Sequence, residues 1–515
     1  MLDSASWLLS GVLGAIAAVV AAGLFLKLRQ DRGTRSLQTL PSPPGNWLWG
    51  NTLDVLTAAK KGQLAPLVFE WSQQLGEIFA IWNLGNPLVV VSNPQAIEEI
   101  LVKGQGEGTF QRDPKFYRAY EDVFGTHIGN QVGEEWKWRR QAWSSSFNPN
   151  HFYDRADIFV DYAKRTIQQI ETQSDSGEIV TVDPLFSKLT MDIFGYFLLG
   201  ITSEDTSNTD NLPPFDSEKI AAALGVLEKV TLLQGTTQVS WLKDLPNQQG
   251  KLYRQAQNYL AEVLLPYIEL ALESAGKIGQ NSTSDRASTS PAFQESMVAK
   301  LARNPKYTEP KQLLAEVKAA LFAGHDTTAH TMTFAVGELA LNPSVFAKAR
   351  DIADSVLAKF KTLDRAALKE LSYIEAIVKE TMRLHPVVTG VPLITTRETT
   401  VSGVSIPANT TVRPSFSTAG YNAKMYREPA SFSPDHWLQN APDSDEKILL
   451  FGFSLGPHIC LGAAFALLEA TIVLTLLLHH FDWELVRGRV SLEELEQNIT
   501  VFPRDRLPVR FTVRS

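Results

Sequence analysis

The sequence predicts a mainly α-helical protein with a small β portion, and two patterns lead to this prediction. Apolar residues recur at helical spacing in five long stretches of the chain. Short β-branched and aromatic runs over 78–82 and 88–91 flank Gly85-Asn86, which predicts a hairpin near the start. A short pair of strands is predicted near 509–513. The five helical stretches are 181–199, 250–272, 309–341, 364–384 and 460–480.

Composition narrows the class of protein. The 515 residues are 44% apolar and 20% charged, which is ordinary for a globular chain. A net charge of −8 argues against nucleic acid as a partner, because such binders usually present a basic surface. Cys460 is the one cysteine, so no intrachain disulfide can form. A chain with so few cysteines is typical of a protein in a reducing compartment.

The N-terminus predicts a membrane anchor. Residues 7–26 carry no charge, and about 20 apolar residues span a ~30 Å hydrocarbon core. Lys27, Arg29, Arg32 and Arg35 follow this run, so the positive-inside rule places the rest of the chain on the cytoplasmic side. A cleaved signal peptide is the alternative, but its basic residues would come before the run.

Three segments follow from these patterns. Residues 1–35 are the predicted anchor with its basic stop, and 36–46 form a Pro-rich hinge that cannot continue a helix. Residues 47–515 are predicted to be one catalytic domain. The membrane would be the endoplasmic reticulum in a eukaryote, or an inner or internal membrane in a bacterium.

Cys460 stands where small and kinking residues give way to a long apolar helix. Helix N–H groups and the positive end of the helix dipole at this point favour a thiolate. A thiolate is the form of cysteine that ligates iron. The alternative is a buried free cysteine that packs as a small apolar side chain.

The residues around this cysteine resemble the haem-binding signature of the cytochrome P-450 family, Phe-x-x-Gly-x-(Arg/His)-x-Cys-x-Gly. The matching positions are Phe453, Gly456, His458, Cys460 and Gly462. The resemblance implies a cytochrome P-450-type fold, here preceded by one transmembrane helix. It also implies that Cys460 ligates the iron, that Phe453 packs beside the sulfur and that the two glycines let backbone amides approach it. His458 would contact a haem propionate.

A second motif lies inside the predicted helix 309–341. In the run from Ala323 through Gly324 to Asp326 and Thr327, an acid and an alcohol stand one turn after a small pair. A threonine within a helix can bond back to the carbonyl four residues earlier and bend the helix. The run resembles the family's oxygen motif, which implies that Thr327 hydrogen-bonds dioxygen and Asp326 relays protons. The alternative is a helix with one buried polar patch.

Glu380 and Arg383 share a helix face at i, i+3, so they can form an ion pair. Their position resembles the family's structural Glu-x-x-Arg pair. In the family a third residue, usually a second arginine, locks this pair in place. His436 stands where that arginine is expected. Because histidine is shorter and titrates near neutral pH, the sequence predicts a weaker or pH-sensitive lock.

Trp136 and Arg140 share a helix face at i, i+4, and both are donors only. The resemblance implies that they hold a haem propionate. Between them, Lys137 and Arg139 are candidate docking charges for an acidic electron donor. A solvated basic patch is the alternative for these two.

The resemblance implies a haem b enzyme that activates O₂ and inserts one oxygen atom into a lipophilic small molecule. Candidate substrates are a fatty acid, a terpenoid, a carotenoid or a sterol. Electrons would come from NAD(P)H through a separate flavoprotein reductase or ferredoxin, because no flavin, iron–sulfur or dinucleotide segment is visible. Core packing explains each candidate pocket residue equally well. These candidates are Phe110, Phe116, Phe124, Phe322, Val388, Val391 and Phe502.

Two other functions stay open at this point. A haem-thiolate isomerase or peroxygenase would use no O₂, but such enzymes often lack the acid–alcohol pair. A non-enzymatic haem-binding protein would form no NAD(P)H-linked product.

Overall fold

The computed structural model describes most of the chain beyond the predicted anchor. The anchor at 7–26 lies outside the described residues. Those described are 35–46, 49–83, 85–201, 212–237, 239–278, 291–438 and 449–514.

Helices dominate the described residues, as the sequence predicts. In chain order they are α1 Thr52–Lys60, α2 Leu64–Leu75, α3 Pro94–Glu99, α4 Pro114–Phe124, α5 Gly133–Ser144, α6 Pro149–Tyr153, α7 Ala156–Asp175, α8 Val182–Leu199, α9 Ser217–Thr237, α10 Gln248–Ser274, α11 Pro291–Glu295, α12 Met297–Ala302, α13 Pro310–Leu341, α14 Pro343–Lys359, α15 Arg365–Glu370, α16 Ser372–Leu384, α17 Phe416–Ala419, α18 Ala463–His480 and α19 Val490–Glu493.

The strands are short, which confirms the small β portion. They are β1 Ile78–Asn83, β2 Asn86–Val91, β3 Phe110–Arg112, β4 Val180–Thr181, β5 Leu393–Thr395, β6 Thr399–Val401, β7 Val404–Ile406, β8 Thr411–Pro414, β9 Phe481–Leu485, β10 Leu495–Gln497, β11 Val501–Pro503 and β12 Pro508–Val513.

The predicted helices agree closely with the observed ones, with one exception. Four of the five stretches become single helices, α8, α10, α13 and α18. The stretch 364–384 is instead two helices, because Leu371 leaves helical geometry with a ψ of 17°. The spacing of apolar residues does not predict this break, because the apolar face continues from the first helix into the second.

The described chain divides into two compact units. The first comprises residues up to 113 together with 390–419. Its five-stranded sheet has the order β1-β2-β8-β5-β3, and the predicted hairpin pairs Ile78 with Val91. Trp71, Phe79 and Val90 lie in its core. The predicted hinge is tied to this unit, since Asn51 Nδ2 donates to the carbonyls of Pro43 and Pro44 at 3.3 and 3.1 Å.

The second unit comprises residues 114–389 and the chain from 420 onward. Its central element is α13, which packs against α8, α10 and α18. The start of α13 is set by a capping box between Glu309 and Gln312, with Pro310 as its first residue. The end of α8 is set by Gly200, whose φ of 72° suits glycine. Two small sheets, β4-β12-β9 and β10-β11, complete this unit.

Helix α18 is the one described helix that is long and apolar enough to cross a membrane. Most of it is buried inside the second unit, as expected of a core helix.

Helix α5 is fixed to α13 by a buried polar cluster around Glu316. This carboxylate accepts hydrogen bonds from Trp143 Nε1 at 2.9 Å, Tyr307 Oη at 2.9 Å and the Ile128 amide at 3.1 Å. Arg139 Nε lies 3.1 Å from it as an ion pair. Four partners compensate the burial of one carboxylate, so the cluster fixes where α5 lies on α13.

The same cluster corrects the docking hypothesis for Arg139. Its side chain is only 5% exposed and also pairs with Glu135 at 3.0 Å. The docking hypothesis is therefore wrong for Arg139, because its guanidinium is buried and already paired with carboxylates of this protein. Lys137 is exposed and pairs with Glu134 at 2.6 Å.

Replacing Glu316 with alanine should lower the free energy of unfolding by about 3 kcal/mol, because Arg139 would lose its buried carboxylate and the Trp143 and Tyr307 donors would lose their acceptor. Urea unfolding followed by circular dichroism measures this change. Glu134→Ala is the matched control, since it removes an exposed carboxylate from α5 and should leave the unfolding midpoint unchanged. Equal effects of the two substitutions would contradict the structural role of the cluster.

Candidate active site

The loop before α18 turns twice to present Cys460. Two short 3₁₀ turns, Phe451–Phe453 and Gly456–His458, precede it. The Cys460 amide donates to the Phe453 carbonyl at 2.8 Å. Gly456 has a φ of 69°, a conformation that a side chain would strain. The loop is therefore closed by its own backbone, and Cys460 stands three residues before the first residue of α18.

The Cys460 side chain is open to solvent but closely surrounded by protein. The residue is exposed, yet the protein packed around the sulfur would solvate a thiolate poorly, and this desolvation raises the pKa of the thiol above its ordinary value. A hydrogen bond from the Gly462 amide and the charge of Arg140 lower it, but less strongly. The helix start alone therefore does not produce the thiolate that the sequence suggests. A cation bonded to the sulfur would reverse this balance.

Three predicted donors gather beside this loop. Arg140 Nη1 donates to the Ile459 carbonyl at 2.6 Å, which ties α5 to the loop. The rings of Trp136 and His458 are 4.1 Å apart between centroids. Side chains from α5 and from the cysteine loop thus form one donor-rich edge, which suits the binding of carboxylates.

The oxygen motif opens one face of α13 to solvent. Ala323 is exposed and Thr327 is half-buried, whereas most of the helix is buried. Thr327 Oγ1 donates to the Ala323 carbonyl at 2.8 Å, the back-bond that the sequence predicts. A Cβ on Gly324 would lie 2.7 Å from the ring of Phe194. This glycine therefore allows α8 and α13 to pack closely.

Asp326 faces away from this opening, into the protein. Its Oδ1 lies 3.0 Å from His330 Nε2, and its Oδ2 accepts a hydrogen bond from Thr500. Burial alone would raise the pKa of Asp326, but His330 and Thr500 hold it well below its usual range. Sequence reasoning missed both partners. The i, i+4 spacing of Asp326 and His330 was a signal for one of them, whereas nothing in the sequence pointed to Thr500.

The structure brings Glu380 and Arg383 together as a buried pair. Arg383 Nε and Nη2 donate to the two carboxylate oxygens at 2.8 and 2.6 Å. The other guanidinium hydrogens go to the carbonyls of Gly420, Pro429 and Ser431 at 2.6 to 2.8 Å. The pair thereby fixes α16 to the segment 420–431.

Two side chains occupy the place of the expected locking arginine. His436 Nδ1 lies 3.1 Å from Glu380 Oε1, and its Nε2 lies 3.1 Å from the Arg427 carbonyl. Trp437 Nε1 donates to Glu380 Oε2 at 2.9 Å. Sequence reasoning missed Trp437, which supplies one of the donors that an arginine would provide. The lock is therefore built from two shorter donors.

The candidate pocket residues are divided between the two units. In the second unit, the rings of Phe124 and Phe322 lie 5.7 Å apart, and Phe116 packs against Gly235. Val388 is half-buried. Phe502 is 1% exposed, with its ring 4.8 Å from His330 and 3.7 Å from the Arg506 guanidinium. The remaining two candidates, Phe110 and Val391, belong to the first unit.

Comparison with known proteins gives a consistent result. The sequence model of the family described as Cytochrome P450 matches residues 40–511. Cytochrome P450 4c21 of Blattella germanica is 24% identical over 479 residues, which cover 90% of this chain and 91% of the relative. Cytochrome P450 monooxygenase sphH of Aspergillus fumigatus is 24% identical, with coverages of 92% and 88%. Human cytochrome P450 3A5 is 23% identical, with coverages of 91% and 90%.

The Glu380 pair should make the protein acid-sensitive. Burial opposes ionisation, but Arg383 and His436 lower the pKa of Glu380 from 4.5 to about 2. The stabilisation is therefore complete above about pH 4.5 and is lost as the pH falls through about 2, an effect of about 3 kcal/mol. Acid unfolding followed by tryptophan fluorescence measures it.

Glu380→Gln should remove this acid sensitivity and destabilise the protein at neutral pH. Glu375→Gln is the control, because it lies on the same helix and pairs with Lys379 at the surface. Acid unfolding of Glu380→Gln with the wild-type pH dependence would refute the assignment.

Proposed function

Because the chain belongs to the cytochrome P450 family and is a cytochrome P450 monooxygenase, we propose that it hydroxylates or epoxidises a lipophilic small molecule at a haem b ligated by Cys460. The observation that carries this proposal is the cysteine loop. It presents a solvent-accessible sulfur, with a Gly462 amide hydrogen bond and the charge of Arg140 beside it.

The side chains present fit a haem. A soft sulfur donor stands just before a helix. Burial favours its thiol form, and a metal cation bound to the sulfur would displace the proton to solvent. Trp136, Arg140 and His458 would hold the propionates, because they form the donor-rich edge beside the loop. Phe453 and Gly456 would shape the loop around the sulfur. When bound, the haem supplies the redox chemistry that activates O₂.

The oxygen motif on α13 would control protons at the opening beside Ala323. Thr327 holds a proton at Oγ1, which its back-bond directs towards the Ala323 carbonyl. Rotation of the hydroxyl would present this proton to the opening where Ala323 is exposed. Asp326 is the neighbouring group that would resupply it, by accepting a proton on its buried side and then turning towards Thr327. Positioned acid–base groups of this kind contribute about 10²- to 10⁴-fold to a rate.

The aromatic side chains near the motif support the proposed substrate class. Phe124 and Phe322 are in ring contact, and Phe116 lies 5.7 Å from Tyr120 on α4. Rings of this kind exclude water and favour an apolar guest. A fatty acid, terpenoid, carotenoid or sterol would satisfy this requirement. Val388 and Phe502 stay candidates for the lining within the second unit, and Phe110 and Val391 stay predictions from the sequence.

Electrons would reach the site from a separate protein. NAD(P)H is the proposed source, and a flavoprotein reductase or a ferredoxin the proposed carrier. Lys137 remains as an exposed docking charge on α5, near the loop that Arg140 contacts. Residues 7–26 would anchor the chain in a membrane, with the catalytic part on its cytoplasmic side.

The proposed ligand makes a direct spectroscopic prediction. Reduced protein exposed to carbon monoxide should show the red-shifted Soret band of a thiolate-ligated haem. Cys460→Ala should abolish this band, because the chain has no second cysteine to replace the sulfur. Absence of the band from intact wild-type protein, or its survival in the variant, would overturn the proposal. Binding spectra against a panel of lipophilic compounds then identify a substrate.

Thr327→Val should leave the carbon monoxide band intact but reduce coupling, the fraction of consumed NAD(P)H that ends in product. We expect a loss of about tenfold or more, with peroxide formed instead. Thr331→Val is the matched control, since this threonine makes the same back-bond one turn later, to the Thr327 carbonyl at 2.8 Å. Similar coupling in the two variants would remove Thr327 from the reaction.

A further inference from the structure

A buried group of charges connects the oxygen motif to the far side of α13. We call Asp183, Asp326, His330 and Arg506 the charge cluster. His330 lies between the two carboxylates, with Nδ1 2.6 Å from Asp183 Oδ1 and Nε2 3.0 Å from Asp326 Oδ1. Arg506 Nη1 lies 2.7 Å from the other oxygen of Asp183. The cluster thus forms a continuous line from Asp326 to a partly exposed guanidinium.

Four parts of the second unit hold the charge cluster in place. Asp183 stands at the start of α8 and also accepts from Thr333 Oγ1 at 3.1 Å. Arg506 lies in the turn before β12 and stacks on Phe502 at 3.7 Å. Thr500, just before β11, donates to Asp326. The orientation of Asp326 is therefore set by His330 and Thr500, and through His330 by Asp183 and Arg506.

The geometry favours a charged imidazole at position 330. Nδ1 is hydrogen-bonded to Asp183, and Nε2 lies 3.0 Å from Asp326 Oδ1 without the alignment of a hydrogen bond, so both carboxylates stabilise the cation. Two carboxylates and two cations then balance inside the protein, where an unpaired charge would be costly. Burial opposes charging, but the two carboxylates raise the pKa of His330 to about 10.

Two further titratable groups face the charge cluster. His325 on α13 is buried, and burial lowers its pKa. Glu228 on α9 is buried, and burial together with the charge of Asp326 raises its pKa well above the usual value. Burial therefore favours the neutral form of both groups. The charge on Asp326 is balanced by His330 alone among the groups that contact it.

We propose that His330 is a positioning residue for the oxygen motif: its imidazolium, held by Asp183 and Arg506, keeps Asp326 ionised, so that this carboxylate can accept a proton on its buried side and then turn to pass it to Thr327. This inference rests on the proposed function, because it assigns the control of Asp326 within that reaction. Proton delivery would then depend on Asp183 at the start of α8 and on Arg506 in the turn before β12.

The role predicts a specific pH profile. Stabilisation by His330 is complete below its ordinary value of about 6.5 and is lost as the pH rises through about 10. Wild-type coupling should therefore be flat from about pH 6 to about pH 9. Without the cation, burial would raise the pKa of Asp326 towards neutrality. Coupling would then vary with pH inside this window.

Three variants test this role. His330→Gln should lower coupling by about tenfold or more and introduce a titration near neutral pH. His330→Lys keeps a cation and should restore the flat profile. His385→Gln is the matched control, because His385 is another histidine paired with a carboxylate, 2.7 Å from Glu338, and it does not contact the charge cluster. This control should lose stability but keep the flat profile and wild-type coupling.

A second readout does not depend on turnover. In full-length protein, the ¹⁵N shifts of the His330 ring should show both nitrogens protonated at pH 8. If His330→Gln does not fold, Asp183→Asn is tested in its place. In that variant His330 should lose its proton at a lower pH than in the wild type. Coupling should also fall at a lower pH than in the wild type. A neutral ring at pH 8, or a wild-type coupling profile in the variant that folds, overturns the inference. Wild-type protein without the carbon monoxide band or without product would instead refute the proposed function.

Discussion

The burial of ionisable groups along α13 is the constraint on which the second unit depends. Glu316, Lys318, Asp326 and Glu338 are all buried on this one helix. Each would be costly without a partner, and each partner except His330 comes from another element. Arg139 of α5 pairs with Glu316, Gln257 of α10 accepts from Lys318, and His385 pairs with Glu338. The charges of α13 therefore determine which elements pack around it.

The two sides of the candidate active site are held by different physical means. The cysteine loop is closed by backbone hydrogen bonds and by Arg140, which leaves its sulfur accessible. The oxygen motif is held by a back-bond on its open face and by the charge cluster on its buried face. Both motifs are therefore held in defined positions, so their groups need little reorganisation to react.

The lock on Glu380 shows how one function can be met by different side chains. An arginine would offer a fixed fork of donors, whereas His436 and Trp437 each contribute one N–H to Glu380. The Ser433 amide adds a third donor at 2.8 Å. Because Glu380 needs donors rather than a particular side chain, the departure from the expected arginine leaves its carboxylate satisfied.

The sequence by itself determined the helices, the hairpin and the positions of the motifs. Apolar periodicity and the cysteine signature depend on neighbours within a few turns, so they can be read along the chain. It also suggested the Thr327 back-bond and the Glu380–Arg383 pair, which are both local. It did not reveal the break at Leu371, since the apolar face is continuous there.

Tertiary structure alone decided the partners of the buried charges. Thr500 is 174 residues from Asp326, and Asp183 is 147 residues from His330. Arg139 is part of a basic run in the sequence, yet it is buried against Glu316, which no local pattern could indicate. Periodicity reports which face of a helix is buried, but the compensation of a buried charge depends on whichever distant segment the fold brings within hydrogen-bond distance.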